Sequence, residues 1–387
     1  MQILPDNAQD AVLVGRIWHP EVGGPCIVAY KAGQLYDITS RDVPTMRDLL
    51  ERDDCSGYVL ERLADATALI SLEAVIENSL ASDADPTKLH FLAPCDLQAV
   101  KACGVTFASS MIERVIEEQA AGDPARAEAL RARCLDIIGS RLSELEAGSA
   151  AAQKVKQALI AEGMWSQYLE VGIGPDAEVF TKAQPLSAIG WGANAGLHPA
   201  SSWNNPEPEI VLAVNSAGQI RGVTLGNDVN LRDIEGRSAL LLGKAKDNNA
   251  SCVIGPFIRL FDDRFDLDRV QNAELRLQIT GEDGFTLEGE SLMREISRSP
   301  TDLVAQTISV NHQYPDGFML FLGTMFAPTK DRGAKGEGFT HKTGDIVTIS
   351  CADIGMLQNQ MKPSGECRHW TFGLSSFMRN LSERGLV

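Results

Sequence analysis

The stretch "NNPEPEIVLAV", residues 204–214, sets two acids at the mouth of an apolar run. Ile210 to Val214 are uninterrupted apolar residues, few enough for a buried strand. Just ahead of them, Glu207 and Glu209 flank Pro208. In a strand, side chains at i and i+2 leave on the same side with Cα atoms about 6.5 to 7 Å apart, so both carboxylates can converge on one cation. Pro208 has no backbone donor, which fits a strand start or an edge. Taken alone, the triplet reads as two solvated acids at a strand end, and a metal site needs a third ligand.

That ligand is found about twenty residues on, in "GVTLGNDVNLRD". A hairpin through "NSAGQ" returns the chain beside the first strand and brings Asp228 close to the two glutamates. Three carboxylates with no nitrogen or sulfur ligand make a hard oxygen site suited to Mg²⁺ or Mn²⁺, with Ca²⁺ a further candidate and positions left open for water and substrate oxygens. Lys246 follows in "LLGKAKDNNASCVIGP", ahead of an expected Gly-Pro turn. Beside a dication its charged form is repelled and its pKa falls, which suits proton transfer. A surface lysine paired with Asp247 or Glu235 is the competing reading.

Bulk properties narrow the partners. The 387 residues carry a formal net charge of −17 and a sequence pI near 4.8, and Lys and Arg nowhere cluster. Phosphate backbones and anionic membrane surfaces are therefore repelled, which argues against nucleic-acid and membrane partners. Neither a basic leader with an apolar core nor a run of about eighteen apolar residues is present, so a cytoplasmic protein is expected. The eight cysteines show no CxxC pair and no histidine at ligand spacing, so they are read as reduced thiols acting as small apolar groups.

Along the chain, residues 1–95 read as a small mixed α/β domain: "AVLVGRIWH", then "GGPCIVAYKAGQLYDIT" with its Ala-Gly turn, then a helix at "VPTMRDLLERD". Residues 96–387 form the second unit. Within it, the Ala/Glu-rich segment of about 108–170 predicts helices, either a lid over the site or a decoration packed on the core. From "EVFTKAQPLSAIGWG" onward, β-rich runs return, so the class is α+β with a mainly β second domain. The glycine-rich "GWGANAG" (190–196) and "GAKGEG" (333–338) match neither phosphate-loop nor dinucleotide patterns and are read as turns or mobile loops near the pocket.

The blocks "EVFTKAQPLS", "NNPEPEIVLAV", "GNDVNLRD", "KAKDNNASCVIGP", "DGFMLFLGTMFAP" and "THKTGDIVTIS", in this order and spacing, resemble the fumarylacetoacetate hydrolase superfamily over roughly residues 96 to 387. With "GVTFASSMIERVIEE", "GMWSQYLEVGIGPDAEVFTK" and "HQYPDGF", the chain looks most like its 2-keto-3-deoxy-pentonate dehydratases, the D-xylonate branch in particular. The resemblance implies a β-roll second domain, a homo-oligomer (dimer or tetramer), and a small 2-keto acid substrate. It makes Glu207, Glu209 and Asp228 the ligands of Mg²⁺, Lys246 a catalytic lysine, and adds Glu178 and Lys182 as catalytic and Thr324, Thr106 and Ser110 as substrate-binding residues.

One departure bears on the reaction. Carbon–carbon hydrolases of this superfamily carry a water-activating histidine and glutamate after the equivalent of "GVTF"; this chain has Ser110 and Glu113 there. Losing a general base costs on the order of 10²–10⁴-fold, whereas dehydration needs no attacking water. The expected activity is dehydration of a 2-keto-3-deoxy-pentonate to α-ketoglutarate semialdehyde. The alternatives are an acylpyruvate or 2,4-diketo acid hydrolase that borrows His312 or His341, and a non-catalytic keto-acid binding protein.

Overall fold

A computed structural model describes residues 3–80, 85–107, 111, 145–161, 163–325, 328, 330–332 and 338–387. Its strands are β1 (Leu13–His19), β2 (Gly24–Lys31), β3 (Gln34–Asp37), β4 (Ala68–Ser71), β5 (His90–Leu92), β6 (Ala99–Gly104), β7 (Glu178–Ala183) and β8 (Asn194–Leu197). They continue with β9 (Pro208–Val214), β10 (Ile220–Asp228), β11 (Cys252–Leu260), β12 (Glu274–Thr280), β13 (Thr286–Leu292), β14 (Phe318–Phe321), β15 (Ile346–Cys351) and β16 (Gly355–Pro363).

The larger sheet runs β4-β3-β2-β1-β11-β10-β9-β14-β6-β7, with β5 also paired to β1. The smaller runs β13-β12-β15-β16-β8. Because β1 pairs with β11, the amino-terminal strands continue the same sheet as the carboxylate-bearing hairpin, and the composition change near residue 95 is no break in it. The Ala-Gly turn forms as expected: Ala32 and Gly33 both take positive φ, 48° and 80°, the geometry whose twist matches a two-residue hairpin. The expected helix at 43–53 narrows to Met46–Leu50, capped by the Thr45 hydroxyl accepting from the Asp48 N–H. Gly255-Pro256, read as a turn, lies inside β11 with a cis peptide. Of the helices expected over 108–170, Ala150–Ala161 and Gln167–Ile173 are present, while 108–110 and 112–144 lie outside the described residues.

Burial separates the two sheets. β12 alternates buried and exposed positions, as a strand with one solvated face must. β9 is buried throughout. Its even residues Ile210, Leu212 and Val214 enter one apolar layer, and its odd residues Val211 and Ala213 enter another with Met319 and Phe321. Pro208 opens this central strand, a position where a missing donor is tolerated. The seven described cysteines are all free and buried; Cys134 lies outside the described residues. No described helix is long and apolar enough to cross a membrane.

The "NSAGQ" hairpin sets the register that matters. Gly226 pairs with Glu209 and Asn227 with Pro208, and the Asp228 N–H donates to the Glu207 carbonyl at 3.0 Å. Glycine is required at 226, where a Cβ would overlap the Phe321 ring and the Val211 side chain. Gly226→Ala is expected to cost about 1–3 kcal/mol through overpacking; an unchanged urea midpoint in the metal-free protein would contradict this packing.

Candidate active site

The site lies at one end of five neighbouring strands, β10, β9, β14, β6 and β7. Side chains of directly opposed residues share a face, so the register puts Asp228 beside Glu207, and the period of two puts Glu209 with them. Continuing inward on this face are Val211 and Phe321 of an apolar layer, so the three acids cap a dry stack. Their carboxylate oxygens lie within 4.8 Å of one another, and all three residues are buried. Each is held in place. Glu207 Oε1 accepts from Asn230 Nδ2 at 3.0 Å, and its own backbone N–H donates to Asn227 Oδ1 at 3.0 Å. Glu209 Oε2 accepts the Gly323 N–H at 2.7 Å, just past β14.

Two lysines meet these acids. Lys246, at the end of the helix Leu242–Lys246, bonds Glu207 Oε2 and lies 3.0 Å from Asp228 Oδ2. Lys182 of β7, wholly buried, lies 2.7 Å from Asp228 Oδ1 and donates to the carbonyls of Val229, at 3.1 Å, and Lys246. Four flat steps of roughly 4.8 Å would leave β7 about 19 Å from β10. The contact between Lys182 and Asp228 therefore requires the sheet to curl until its β7 end meets β10, the rolled architecture expected of the second domain.

Of the three acids, Glu207 lines a cleft of about 440 Å³, together with Glu178, Lys246 and Thr324, while Glu209 and Asp228 lie buried behind it. Glu178, at the start of β7, pairs with Gly104 of β6, and a Cβ on Gly104 would overlap the Glu178 carboxylate. Thr324 follows Gly323 at the strand end, half-buried. Lys182 does not line this cleft; it touches the site through Asp228. Thr106 is also placed otherwise: its hydroxyl donates to the Leu322 carbonyl at 2.5 Å, and the residue is 1% exposed. Ser110 and Glu113 lie outside the described residues. Neither histidine considered as a borrowed base lines the cleft. His341 Nδ1 is 3.0 Å from Asp345 Oδ2, and exposed His312 stacks on Tyr314. Sequence reasoning missed Asn230 and the Gly323 N–H. Asn230 had a signal, since it stands two residues after Asp228, but a backbone donor leaves none.

Electrostatically the cluster is short of positive charge, with three carboxylates against two ammonium groups. Burial, then the charges of Asp228 and Glu207, push the Glu209 carboxyl well above the usual carboxylate range. Asp228 is pushed up by burial, but Lys182 and Lys246 outweigh this and hold it below its usual value. Lys246, which burial alone would lower, is raised by Asp228 and Glu207. The fall expected for Lys246 beside a dication is thus reversed when only the chain's own charges act on it. An all-oxygen, buried, anionic donor set fits a hard dication, whose charge would offset the burial and the repulsion that raise the Glu209 carboxyl. Because a raised carboxyl is protonated below its shifted pKa and the cation binds the carboxylate, Mg²⁺ or Mn²⁺ affinity should rise with pH. Calorimetric titration in buffers of different ionisation enthalpy should show proton release on metal binding; affinity independent of pH, with no proton released, would refute this account.

Residues 206–362 match the family model described as fumarylacetoacetate (FAA) hydrolase C-terminal. The 2-dehydro-3-deoxy-D-arabinonate dehydratase of Saccharolobus solfataricus is 31% identical over 185 residues, 48% of this chain and 58% of that relative. The probable 2-keto-3-deoxyxylonate dehydratase of Haloferax volcanii is 29% identical over 337 residues, 87% of this chain and 94% of that relative. Among solved structures, a 2-keto-3-deoxy-D-arabinonate dehydratase complexed with magnesium and 2,5-dioxopentanoate shares the fold, with a TM-score of 0.61 at 19% identity over 91% of this chain and 99% of that one. The part of this chain that matches the fumarylacetoacetate (FAA) hydrolase C-terminal family model, residues 206–362, holds Glu207, Glu209, Asp228 and Lys246.

Proposed function

We propose that this protein is a Mg²⁺- or Mn²⁺-dependent hydro-lyase that removes water from a 2-keto-3-deoxy-pentonate and yields α-ketoglutarate semialdehyde, that is, 2,5-dioxopentanoate. The observation that carries the reading is Lys246, bonded to two members of a buried three-carboxylate cluster at the floor of a cleft that also presents Glu178. The names of the two dehydratase relatives and the ligands of the magnesium-bound neighbour support it. Glu207, Glu209 and Asp228 are the residues that would hold the cation. When bound, it would polarise the keto group of the substrate and stabilise negative charge developing on that oxygen.

The chain's own groups then divide the remaining work. Glu178 and Lys246 face the cleft and are the proton-transfer pair. One takes a proton from carbon 3, and the other gives a proton to the carbon-4 hydroxyl as it leaves as water. Loss of a proton from carbon 5 and return of one to carbon 3 move the resulting double bond to carbons 4 and 5, which makes an enol of the carbon-5 hydroxyl, and its tautomer is the aldehyde. Thr324 offers a hydroxyl to the substrate carboxylate at the strand end. Lys182 acts through Asp228, fixing that carboxylate from behind.

A hydrolase would need a base to activate water, and among the described residues no histidine lines the cleft. A non-catalytic binding protein would be favoured by a Lys246 far from the acids, and Lys246 lies among them.

Three outcomes are expected. Activity on 2-keto-3-deoxy-D-xylonate, followed as semialdehyde formation, should vanish with chelator and return with Mg²⁺; pyruvate release from a diketo acid instead would identify a hydrolase. Lys246→Ala should lower kcat by about 10²–10⁴-fold, and near-native turnover would remove Lys246 from the chemistry. Gly104→Ala displaces the Glu178 carboxylate and should cost on the order of 10²-fold in kcat while leaving metal affinity within twofold (roughly the scatter of such titrations); an unchanged kcat would exclude Glu178.

A further inference from the structure

The "GWGANAG" stretch does not reach the acidic cleft. Gly190 and Trp191 instead wall a second cavity, of about 250 Å³, which shares no lining residue with the first. We propose that this cavity binds a small aromatic carboxylate, held between its tryptophans and the Arg368 guanidinium.

Charge is the first argument. In a chain with 52 acidic residues and a net charge of −17, no Asp or Glu among the described residues lines this cavity, whereas Arg16, Arg368, His90 and His369 do. Arg16 is committed to the fold: it donates to the carbonyls of Ala93 and Cys95 and faces Asp96 at 3.7 Å. Arg368 is not. Its Nη1 lies 3.2 Å from His90 Nε2, while His90 Nδ1 lies 2.8 Å from the Lys88 carbonyl. That carbonyl can only accept, so Nδ1 carries the proton and Nε2 accepts from Arg368. Burial favours the same neutral ring. Arg368 therefore contacts a neutral acceptor, and among the described residues no carboxylate pairs with it.

An unused donor is the second argument. Three tryptophans line the cavity. Trp18 Nε1 donates to the Pro86 carbonyl at 3.0 Å, and Trp370 Nε1 to the Phe372 carbonyl at 3.2 Å. Trp191, fully buried, has no partner for its Nε1 among the described residues. A buried N–H without an acceptor is costly; with almost no exposed surface, it reaches a ligand carboxylate only as the indole turns toward the cavity.

Shape is the third. Trp18 meets Phe372 edge-on at 5.4 Å and Phe91 meets Trp191 edge-on at 5.9 Å, so the walls present ring edges and faces to a planar guest. The glycine-rich wall is built in advance: Asn359 Nδ2 holds the carbonyls of Gly190, at 3.0 Å, and Ala193, at 2.7 Å, and Gly192 takes φ 82°. The volume lies below the roughly 300–1,000 Å³ of sites for drug-sized ligands, which suits a one- or two-ring acid. This inference stands apart from the proposed dehydration and does not need it.

Calorimetry on the full chain, with EDTA present so that no metal at the acidic cluster contributes, tests it. The probes are indole-3-carboxylate, its uncharged twin indole-3-carboxamide, and inorganic phosphate as an anion without a ring. The carboxylate should bind, with the amide and phosphate at least tenfold weaker (about 1.4 kcal/mol per decade). Arg368→Gln, a change at an exposed side chain, should weaken carboxylate binding at least tenfold, and Glu207→Gln should leave it unchanged. No binding of indole-3-carboxylate, equal binding of the amide or of phosphate, or undiminished binding to Arg368→Gln would each overturn the proposal. Trp191→Phe is a second probe: folded protein with undiminished affinity would remove the indole donor from the site.

Discussion

The pairing of β9 with β10 is the constraint on which the site depends. A strand's side chains alternate faces, so slipping this pair by one residue would send Asp228 to the face opposite Glu207 and Glu209. The structure resists that slip on both sides of the acids. Inward, Val211 and Phe321 close over Gly226, which leaves no space for a side chain. Outward, the Asp228 N–H holds the Glu207 carbonyl, and Asn205 and Asn230 exchange backbone hydrogen bonds at 3.1 Å in each direction. Packing of an apolar layer thus fixes the spacing of a polar cluster.

That cluster is a balance of buried charge. Three carboxylates out of water repel one another, and the chain answers with two lysines from different parts of the fold, the Gly323 N–H, and the Asn230 amide that links Glu207 to Glu235. Neither lysine could reach the acids from a flat sheet. The curl that brings β7 against β10 delivers Lys182, and the short helix after β10 delivers Lys246. The balance remains one charge short, and the deficit falls on Glu209, the acid with no lysine among its hydrogen-bond and ion-pair partners. A site of this kind is primed for a cation because its own residues leave repulsion unrelieved.

The molecule separates its charges elsewhere too. The acidic cleft and the carboxylate-free aromatic cavity lie on either side of one stretch of chain. Lys246 lines the first, Asn249 and Ala250 line the second, and Ser251, which follows them, donates to the Lys246 carbonyl at 2.8 Å. In a chain with so large a negative charge, the described residues keep acids off the lining of this cationic pocket.

Several features were legible from the residues alone, because they depend on local spacing. The acid pair around Pro208, the hairpin through 215–219 and the Ala32-Gly33 turn follow from a period of two and from turn chemistry, and each forms as read. The block order from 178 to 350 likewise carried the superfamily resemblance. What the local pattern could not determine was long-range. That Lys182 and Lys246 share Asp228, that Thr106 turns to the Leu322 carbonyl, that His341 is held by Asp345, and that "GWGANAG" walls a cavity away from the acids were decided by the curl of the sheet and by what packs against it. Sequence spacing determines which side of a strand a residue occupies; only the closed tertiary structure decides which distant side chain meets it there.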